Sequence, residues 1–484
     1  MPDARAILQH IATRAMIDYG LQPELPADAQ AEVRQLGDAP LTGLRDLRAL
    51  PWSSIDNDDS KDLDQLEVVI EEAGAVRLLI AVADVDSLVV KGSALDDHAR
   101  LNTTSVYTAA RVFPMLPEAL SNDRTSLNQN EDRPALVVDM AIADDGVVTK
   151  AEVYRAAVRN QARLTYSSVA AWLDAHGPAP AAMSQVEGLE RQLRTQDRLA
   201  GYLRTRREAE GALDFDRAEI KPVMGDGVVK DLQVDASNRA RDMIESFMIA
   251  ANGVTARFLS ARGSASIRRV VRAPKRWPRI VEIAASHGTT LPADPDAGAL
   301  EGFLRAQREA QPDTFPDLSL SILKLLGRGE YVAESPSGPG ATGSVHFALA
   351  ETNYTHSTAP NRRYPDLVTQ RLVKSAAEHA PAPYTLAELS PLAEHCTKQE
   401  DAANKVERRV RKSAAALWLG DRIGQEFAAV VTGASEKGTW VRLDRPPVEG
   451  KLDRGYEGLD VGDRLRVRLV RTDAERGFVD FVRV

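Results

Sequence analysis

An α+β multidomain chain is predicted: a sheet packed with helices, a small closed β-barrel at the C-terminal end and a short helical segment at the start. Three observations carry this. Apolar runs joined by turn residues crowd the stretch from Trp52 to residue 158, and long helical patterns dominate from Thr165 to Gly263. Short alternating runs broken by Gly, Asp and Pro return after about Gln425.

In chain order, ARAILQHIATRAMIDYG and ADAQAEVRQLG carry helical apolar spacing within residues 1–48. Two or three short helices are too small for a core of their own, so a helix-turn-helix-like cap on the next domain is expected. LDQLEVVIEE and AVRLLIAVADV read as a hairpin about the Ala73-Gly74 turn, and PALVVDMAIADDGVVTKAEVYRAAV repeats the strand, Asp-Gly turn, strand theme. TYSSVAAWLDA, VEGLERQLRTQDRLAGYLRTRREA and RARDMIESFMIAANGVTARFLSARG then read as helices, and ESPSGPGATG (334–343) as an exposed loop. EFAAVVTGASEKGTWVRL, PPVEGKLDR, DRLRVRLVRTD and RGFVDFVRV supply five short strands, the count of an OB-type barrel. Its Lys437, Trp440, Arg442, Arg464, Arg466 and Arg468 offer charge and a stacking surface to a single strand. The expected domains are 1–48, 49–424 and 425–484.

Composition narrows the class. The 484 residues are 43% hydrophobic and 27% charged, as in an ordinary soluble protein. One cysteine, Cys396, excludes an internal disulfide. The start lacks a secretory pattern, and no apolar run approaches the roughly 20 residues that span a bilayer. A cytoplasmic protein with no membrane partner is expected. The net charge of −9, from 61 Lys plus Arg against 70 Asp plus Glu, argues weakly against nucleic acid. Contact with phosphates needs only a local basic surface, and NRRYPDLVTQRLVKS (361–375) and KVERRVRKS (405–413) are the two candidates.

The most informative stretch is SSIDNDDSKDLDQLEVV (53–69), which sets Asp56, Asp58, Asp59, Asp62 and Asp64 side by side. Such repulsion persists in a fold only where water, cations or arginines relieve it. Counted from Asp56, the ligand positions nearly match a calcium-binding EF-hand, but Lys61 stands where the loop needs Gly and a strand, not a helix, follows. A magnesium site is the better reading. If 62–64 is extended, Asp62 and Asp64 share a face with Cα atoms roughly 6.6 Å apart, and Asp56 returns to it from the preceding loop. One or two Mg²⁺ ions would suit these oxygens, and two ions ~4 Å apart could clamp the attacking and leaving oxygens of a phosphodiester.

SIDNDDSKDLDQ also resembles the active-site motif of the ribonuclease II/ribonuclease R family, the RNB-domain exoribonucleases. The resemblance continues in order through AVADVDSLV, TTSVYTAARVFPMLPEALSNDRTSLNQNEDRPAL, ARLTYSSVAAWL, GALDFDRAEIK, MIESFMIAAN, HFALAETNYTHSTAPNRRYPDLVTQRLV and KVERRVRK, over roughly residues 50–425. It implies an RNB catalytic domain followed by an RNA-binding OB barrel. The implied activity is Mg²⁺-dependent, processive 3′-to-5′ hydrolysis of single-stranded RNA to nucleoside 5′-monophosphates, with Mn²⁺ able to substitute, by a monomer.

On that resemblance Asp56, Asp62 and Asp64 hold metal, and Asp62, Asp64 and Arg362 are catalytic, Asp64 the most sensitive. Arg363, beside Arg362, is a further RNA-binding candidate. Tyr166 and Phe215 match aromatics packing against bases near the 3′ end, and Tyr107 a tyrosine further along the channel. Glu245 resembles a glutamate that contacts the terminal ribose, where a 2′-hydroxyl separates RNA from DNA. Glu407 matches another active-site glutamate, although an ion pair with Arg411 would also account for it. His346 and His356 read as structural.

Two departures stand out. Gln65 replaces a further family aspartate; its amide carbonyl can still ligate Mg²⁺ or a bound water but brings no charge, so one metal is expected to bind more weakly or to be compensated by Asp58 or Asp59. A catalytically weakened, RNA-binding paralogue is the alternative. Fewer than 50 residues precede the catalytic part, which leaves no room for the cold-shock domains common in relatives; an altered tolerance of structured RNA is expected.

Overall fold

The computed structural model describes residues 3–72, 75–215, 219–225, 227–235, 237–312, 314–335 and 345–484. The expected Ala73-Gly74 turn and most of the 334–343 loop lie outside the described residues.

Seven strands form the central sheet: β1 (Arg45–Asp46), β2 (Ser53–Asp56), β3 (Gln65–Glu72), β4 (Ala75–Ala83), β5 (Asp132–Ile142), β6 (Val148–Arg159) and β7 (Ala162–Thr165). Their order is β1-β6-β5-β4-β3-β2-β7. The β3/β4 and β5/β6 hairpins are antiparallel, and the edge strands β1 and β7 run parallel to their neighbours. Leu78, Leu79, Ile80, Ala81, Val82 and Ala83 of β4 are all buried. Such an unbroken apolar run marks a strand covered on both faces.

The cover comes from α3 (Tyr166–Leu173), α4 (Leu189–Ala209), α5 (Arg239–Ala261) and α6 (Tyr364–Ala377), whose Val169, Leu193, Leu199, Phe247, Leu367 and Leu372 join the sheet's core. Gln192 on α4 clips the helix to β3, its amide donating to Val69 O and accepting from Val69 N, both at 2.8 Å. α7 (Leu386–Leu419) starts at a capping box in which Thr385 and Glu388 satisfy each other's backbone N–H groups.

α1 (Ala4–Asp18) is capped by Asp3 and buries Leu8, Ile11, Ala12, Ala15 and Met16, one stripe at helical spacing, against Ala402, Val406 and Val410 of α7. α2 (Ala27–Gln35) sends Ala29 into the main core instead. The two helices therefore bury separate faces in separate places, unlike the mutually packed pair of a helix-turn-helix.

β8 (Glu426–Ser435), β9 (Gly438–Leu443), β10 (Glu449–Arg454), β11 (Arg464–Asp473) and β12 (Phe478–Arg483) close into a barrel in the order β8-β9-β10-β12-β11. Val431, Val441, Leu452, Val467, Leu469 and Phe481 fill it, together with Ala416 and Leu419 from the end of α7. Gly450 has no alternative there: a Cβ would sit 2.4 Å from the Phe481 ring and 2.5 Å from Val479 O.

Beyond the partly exposed Arg362, the basic run 361–375 is not a basic surface. Arg371 is 4% exposed, bonded to Asp86, Asp96 and Tyr384, and Lys374 is bonded to Asp84 and Asp86. Burial of these cations requires paired acids; the turn after β4 supplies Asp84 and Asp86, and the helix Ala94–Asn102 supplies Asp96. On the barrel, Arg464 pairs with Asp317 of the helix Phe315–Leu326, while Arg466 and Arg468 pair with Glu426.

Candidate active site

Asp56 is the last residue of β2, and β3 begins only at Gln65. Asp62 and Asp64 thus lie in the loop between strands, not in a strand as the spacing suggested, and Asp56 sits on a strand rather than in the loop. Ser126 shapes that loop: its Oγ accepts from Leu63 N (3.0 Å) and donates to Lys61 O (2.9 Å), while Leu127 N donates to Leu63 O (3.0 Å).

The result is to turn Asp64 inward, 2% exposed, where it accepts from Asn361 N (3.0 Å) and Arg362 Nε (3.1 Å). The partner loop is pinned in turn, with Ser105 N donating to Arg362 O (3.0 Å) and Thr125 Oγ1 to Asn361 Oδ1 (2.6 Å). Burial pushes the Asp64 carboxyl up to about 7, with Arg362 opposing and Asp62 reinforcing the shift. Asp56 is raised chiefly by burial, against bonds from Asn57 N and Ser60 Oγ.

Tyr107 links two more of the expected residues. Its hydroxyl donates to Asp62 Oδ2 (3.0 Å) and its N–H to Glu407 of α7 (2.9 Å). Tyr166, at the start of α3, lies under the Arg241 guanidinium at 5.4 Å from the ring centroid, and Arg241 donates to Asn57 Oδ1 (2.9 Å). One helical turn further along α5, Glu245 lines a groove of about 480 Å³ shared with Phe215.

Asp56, Asp62, Asp64, Arg362, Tyr107 and Glu407 are thereby gathered, with Tyr166 and Arg241 joining them to Phe215 and Glu245. Arg363 is turned elsewhere, to Asp366 (2.6 Å). Gln65 is buried at the head of β3; Asp58 is exposed and accepts from Ser167 Oγ (3.1 Å), and Asp59 is exposed. His356, partly buried, meets Tyr331 Oη (2.9 Å), and His346 Nδ1 accepts from Leu349 N (3.2 Å).

The donors available to an ion are oxygens alone, three carboxylates and the Gln65 amide, which is the set a hard divalent cation takes. Among the described residues no group of three or more acidic, histidine or cysteine side chains is drawn up at ligating distance, and Asp64 is closed on Arg362. The donor set fits such a cation.

Sequence reasoning passed over two residues here. Arg241 could have been found from its i, i+4 relation to Glu245. Glu67, an acid inside the apolar run LEVVI, is fully buried, and neither carboxylate oxygen has a hydrogen-bond partner among the described residues.

The profile of the RNB domain matches residues 44–379, and that of the RNase II-type exonuclease C-terminal S1 domain residues 425–484. Ribonuclease R of Thermotoga maritima is 30% identical over 499 residues, covering 95% of this chain and 68% of the relative. Ribonuclease R of Escherichia coli is 29% identical, covering 96% of this chain and 58% of its own. The chain likewise spans 58% of Ribonuclease R 1 of Lactococcus lactis, at 28% identity. Among solved structures, Mycoplasma genitalium RNase R in complex with ribose-methylated single-stranded RNA superposes with a TM-score of 0.87 at 22% identity, covering 100% of this chain and 78% of that one. Yeast Ssd1, described as a pseudonuclease, shares the fold at a TM-score of 0.70 and 18% identity, over 92% and 55%. A profile matched over most of the chain, on a fold that gathers its acidic motif against a distant arginine, makes this protein a member of the RNB-domain family.

Proposed function

We propose that the chain is a Mg²⁺-dependent exoribonuclease that hydrolyses single-stranded RNA processively from the 3′ end, releasing nucleoside 5′-monophosphates. The observation that carries this reading is the joining of Asp64 to Arg362 at 3.1 Å, beside the Asp62–Tyr107–Glu407 chain. Acid, guanidinium and aromatic ring meet at one place from segments far apart in sequence.

Asp56, Asp62, Asp64 and Gln65 would hold the ion, which supplies Lewis-acid stabilisation and an activated water when bound. Arg362 uses Nε on Asp64, while 43% of its side chain stays exposed. That leaves guanidinium donors for the phosphate oxygens whose charge grows in the transition state. Tyr107, Tyr166 and Phe215 offer ring faces to successive bases, a grip indifferent to sequence. Glu245 is placed to accept from a ribose hydroxyl. Glu407 fixes the backbone of Tyr107 and so the direction of its ring.

A second reading, an RNA-binding protein that does not cleave, is favoured by the neutral Gln65. The test uses 5′-labelled single-stranded RNA with a free 3′ end, with Mg²⁺ and then with EDTA. Progressive shortening that stops in EDTA supports the exoribonuclease. Binding without shortening at any Mg²⁺ or Mn²⁺ concentration supports the second reading.

A further inference from the structure

The Glu245–Phe215 groove continues past the site, bounded by α4 and α5, with Arg308 and Phe315 on its far wall. A second, more open cavity of about 770 Å³ shares Arg204, Asp242 and Ser246 with it and adds Arg198, Tyr202 and Arg239. Together they make one passage lined by five arginines and, besides Glu245, by Asp197, Glu208, Asp214 and Asp242.

Arg207 is the unusual member. Arg308 pairs with Asp214, and Arg204 reaches Glu208 and Asp242. Arg207 makes no ion pair among the described residues: Nη2 donates to Ser246 Oγ at 3.1 Å, and its buried Nε has no acceptor. Burial lowers its pKa, with Glu245 and Glu351 only partly offsetting this from beyond ion-pair distance. A half-buried guanidinium with unspent donors, facing a cavity edged by an aromatic ring, has the chemistry of a phosphate-monoester site. A cavity of this size accommodates a small molecule.

We propose that this passage is a binding and release site for the nucleoside 5′-monophosphate product, with Arg207 holding its phosphate. This rests on the exoribonuclease reading for the source of the ligand, but not for the site itself. A strand still held at Tyr107 and Tyr166 blocks the way in, so a mononucleotide freed beside Glu245 needs another way out. Its dianionic phosphate finds Arg207 first and the exposed Arg198 after it, since Arg204 is engaged by Glu208 and Asp242 and Arg239 by Asp197 and Asp174. Arg207 is a binding residue for product, with no part in bond cleavage.

The experiment titrates 5′-AMP into the full chain in EDTA by calorimetry, comparing the unaltered protein with Arg207→Gln, Arg207→Lys and Arg206→Gln. Arg206 pairs with Glu210 and serves as the charge control. Loss of one charge-assisted contact should weaken AMP binding about tenfold or more in Arg207→Gln, with partial recovery in Arg207→Lys and no change in Arg206→Gln. With labelled RNA and Mg²⁺, inhibition by added AMP should weaken in the same order, while affinity for an uncleaved 2′-O-methyl RNA stays unchanged.

Equal AMP binding by all four proteins, or none by the unaltered chain, overturns the proposal. So does a parallel loss of affinity for the 2′-O-methyl RNA, which would place Arg207 on the polymer. Should Arg207→Gln fail to fold by circular dichroism, Arg207→Lys carries the comparison, since it keeps the charge and loses the fork. Arg207-dependent AMP binding by a chain that never shortens RNA leaves the groove standing and removes the exoribonuclease reading. RNA shortening without AMP binding does the reverse.

Discussion

Replacing Glu67 by leucine should make the protein more stable. The carboxyl is 0% exposed in the middle of β3, directly across from the equally buried Ser53 of β2, and neither oxygen has a partner among the described residues. Burial first and Asp56 second raise its pKa well above the ordinary carboxylate range. Nothing compensates the lost hydration, and a buried polar group in that state costs about 1–3 kcal/mol. Leucine removes this cost and adds apolar contact with the surrounding core, against some strain from its branched shape. The net gain should be about 1–3 kcal/mol at pH 7.5. Urea unfolding in EDTA, read by circular dichroism, measures it as a higher midpoint at an unchanged m-value. Cleavage of labelled RNA should persist, because Glu67 makes none of the contacts that hold Asp64 or Arg362. A variant less stable than the parent would refute the claim that the carboxyl is uncompensated. A stable variant that has lost Mn²⁺ binding would show that Glu67 belongs to the ion site.

Three further outcomes follow from the same geometry. Arg362→Ala leaves the buried Asp64 with one hydrogen bond and no counter-charge; cleavage should fall about 100-fold or more, and stability by about 1–3 kcal/mol, less than for a fully buried pair because Arg362 is partly exposed. Tyr107→Phe should keep RNA affinity but alter the cleavage rate, since only the bond to Asp62 goes, whereas Tyr107→Ala should cost about 1–3 kcal/mol of RNA binding through lost stacking; fluorescence anisotropy in EDTA separates the two. His356 has its pKa pushed well below 6.5, first by burial and then by Arg363 and Arg269. The unfolded chain therefore binds its proton more readily, so this stability is present above about pH 6.5 and is lost as pH falls below it, by up to about 1.4 kcal/mol per pH unit. Urea unfolding between pH 7.5 and 5 should show that slope, and it should shrink in His356→Asn.

How much of this could be read in advance varies with the range of the interaction. The β3/β4 and β5/β6 hairpins and the five barrel strands were legible because apolar runs, period-two alternation in the barrel and turn residues are local signals. The acidic motif was legible for the same reason. The state of its residues was not: Asp64 owes its burial to Asn361 and Arg362, about 300 positions later in the chain, and to the Ser126 contacts that bend the 57–64 loop. Arg371 and Lys374 misled because a run of cations looks solvated until the acids that meet it, Asp84, Asp86 and Asp96, are placed in space. Arg207 gave no signal at all within a helix rich in arginines, since its lack of an ion pair is a property of the fold.

The central claim is that the carboxylates around the β2–β3 loop hold divalent ions at the point where an RNA 3′ terminus is cut. A crystal of the Asp64→Asn variant or of the parent chain, soaked in Mn²⁺ with a 2′-O-methyl oligonucleotide, tests it directly. Anomalous density touching Asp56 and Asp62, within ligating reach of the last internucleotide phosphate and with Arg362 swung onto that phosphate, is the expected result. Mn²⁺ bound elsewhere, or a terminal phosphate far from Arg362, would contradict it.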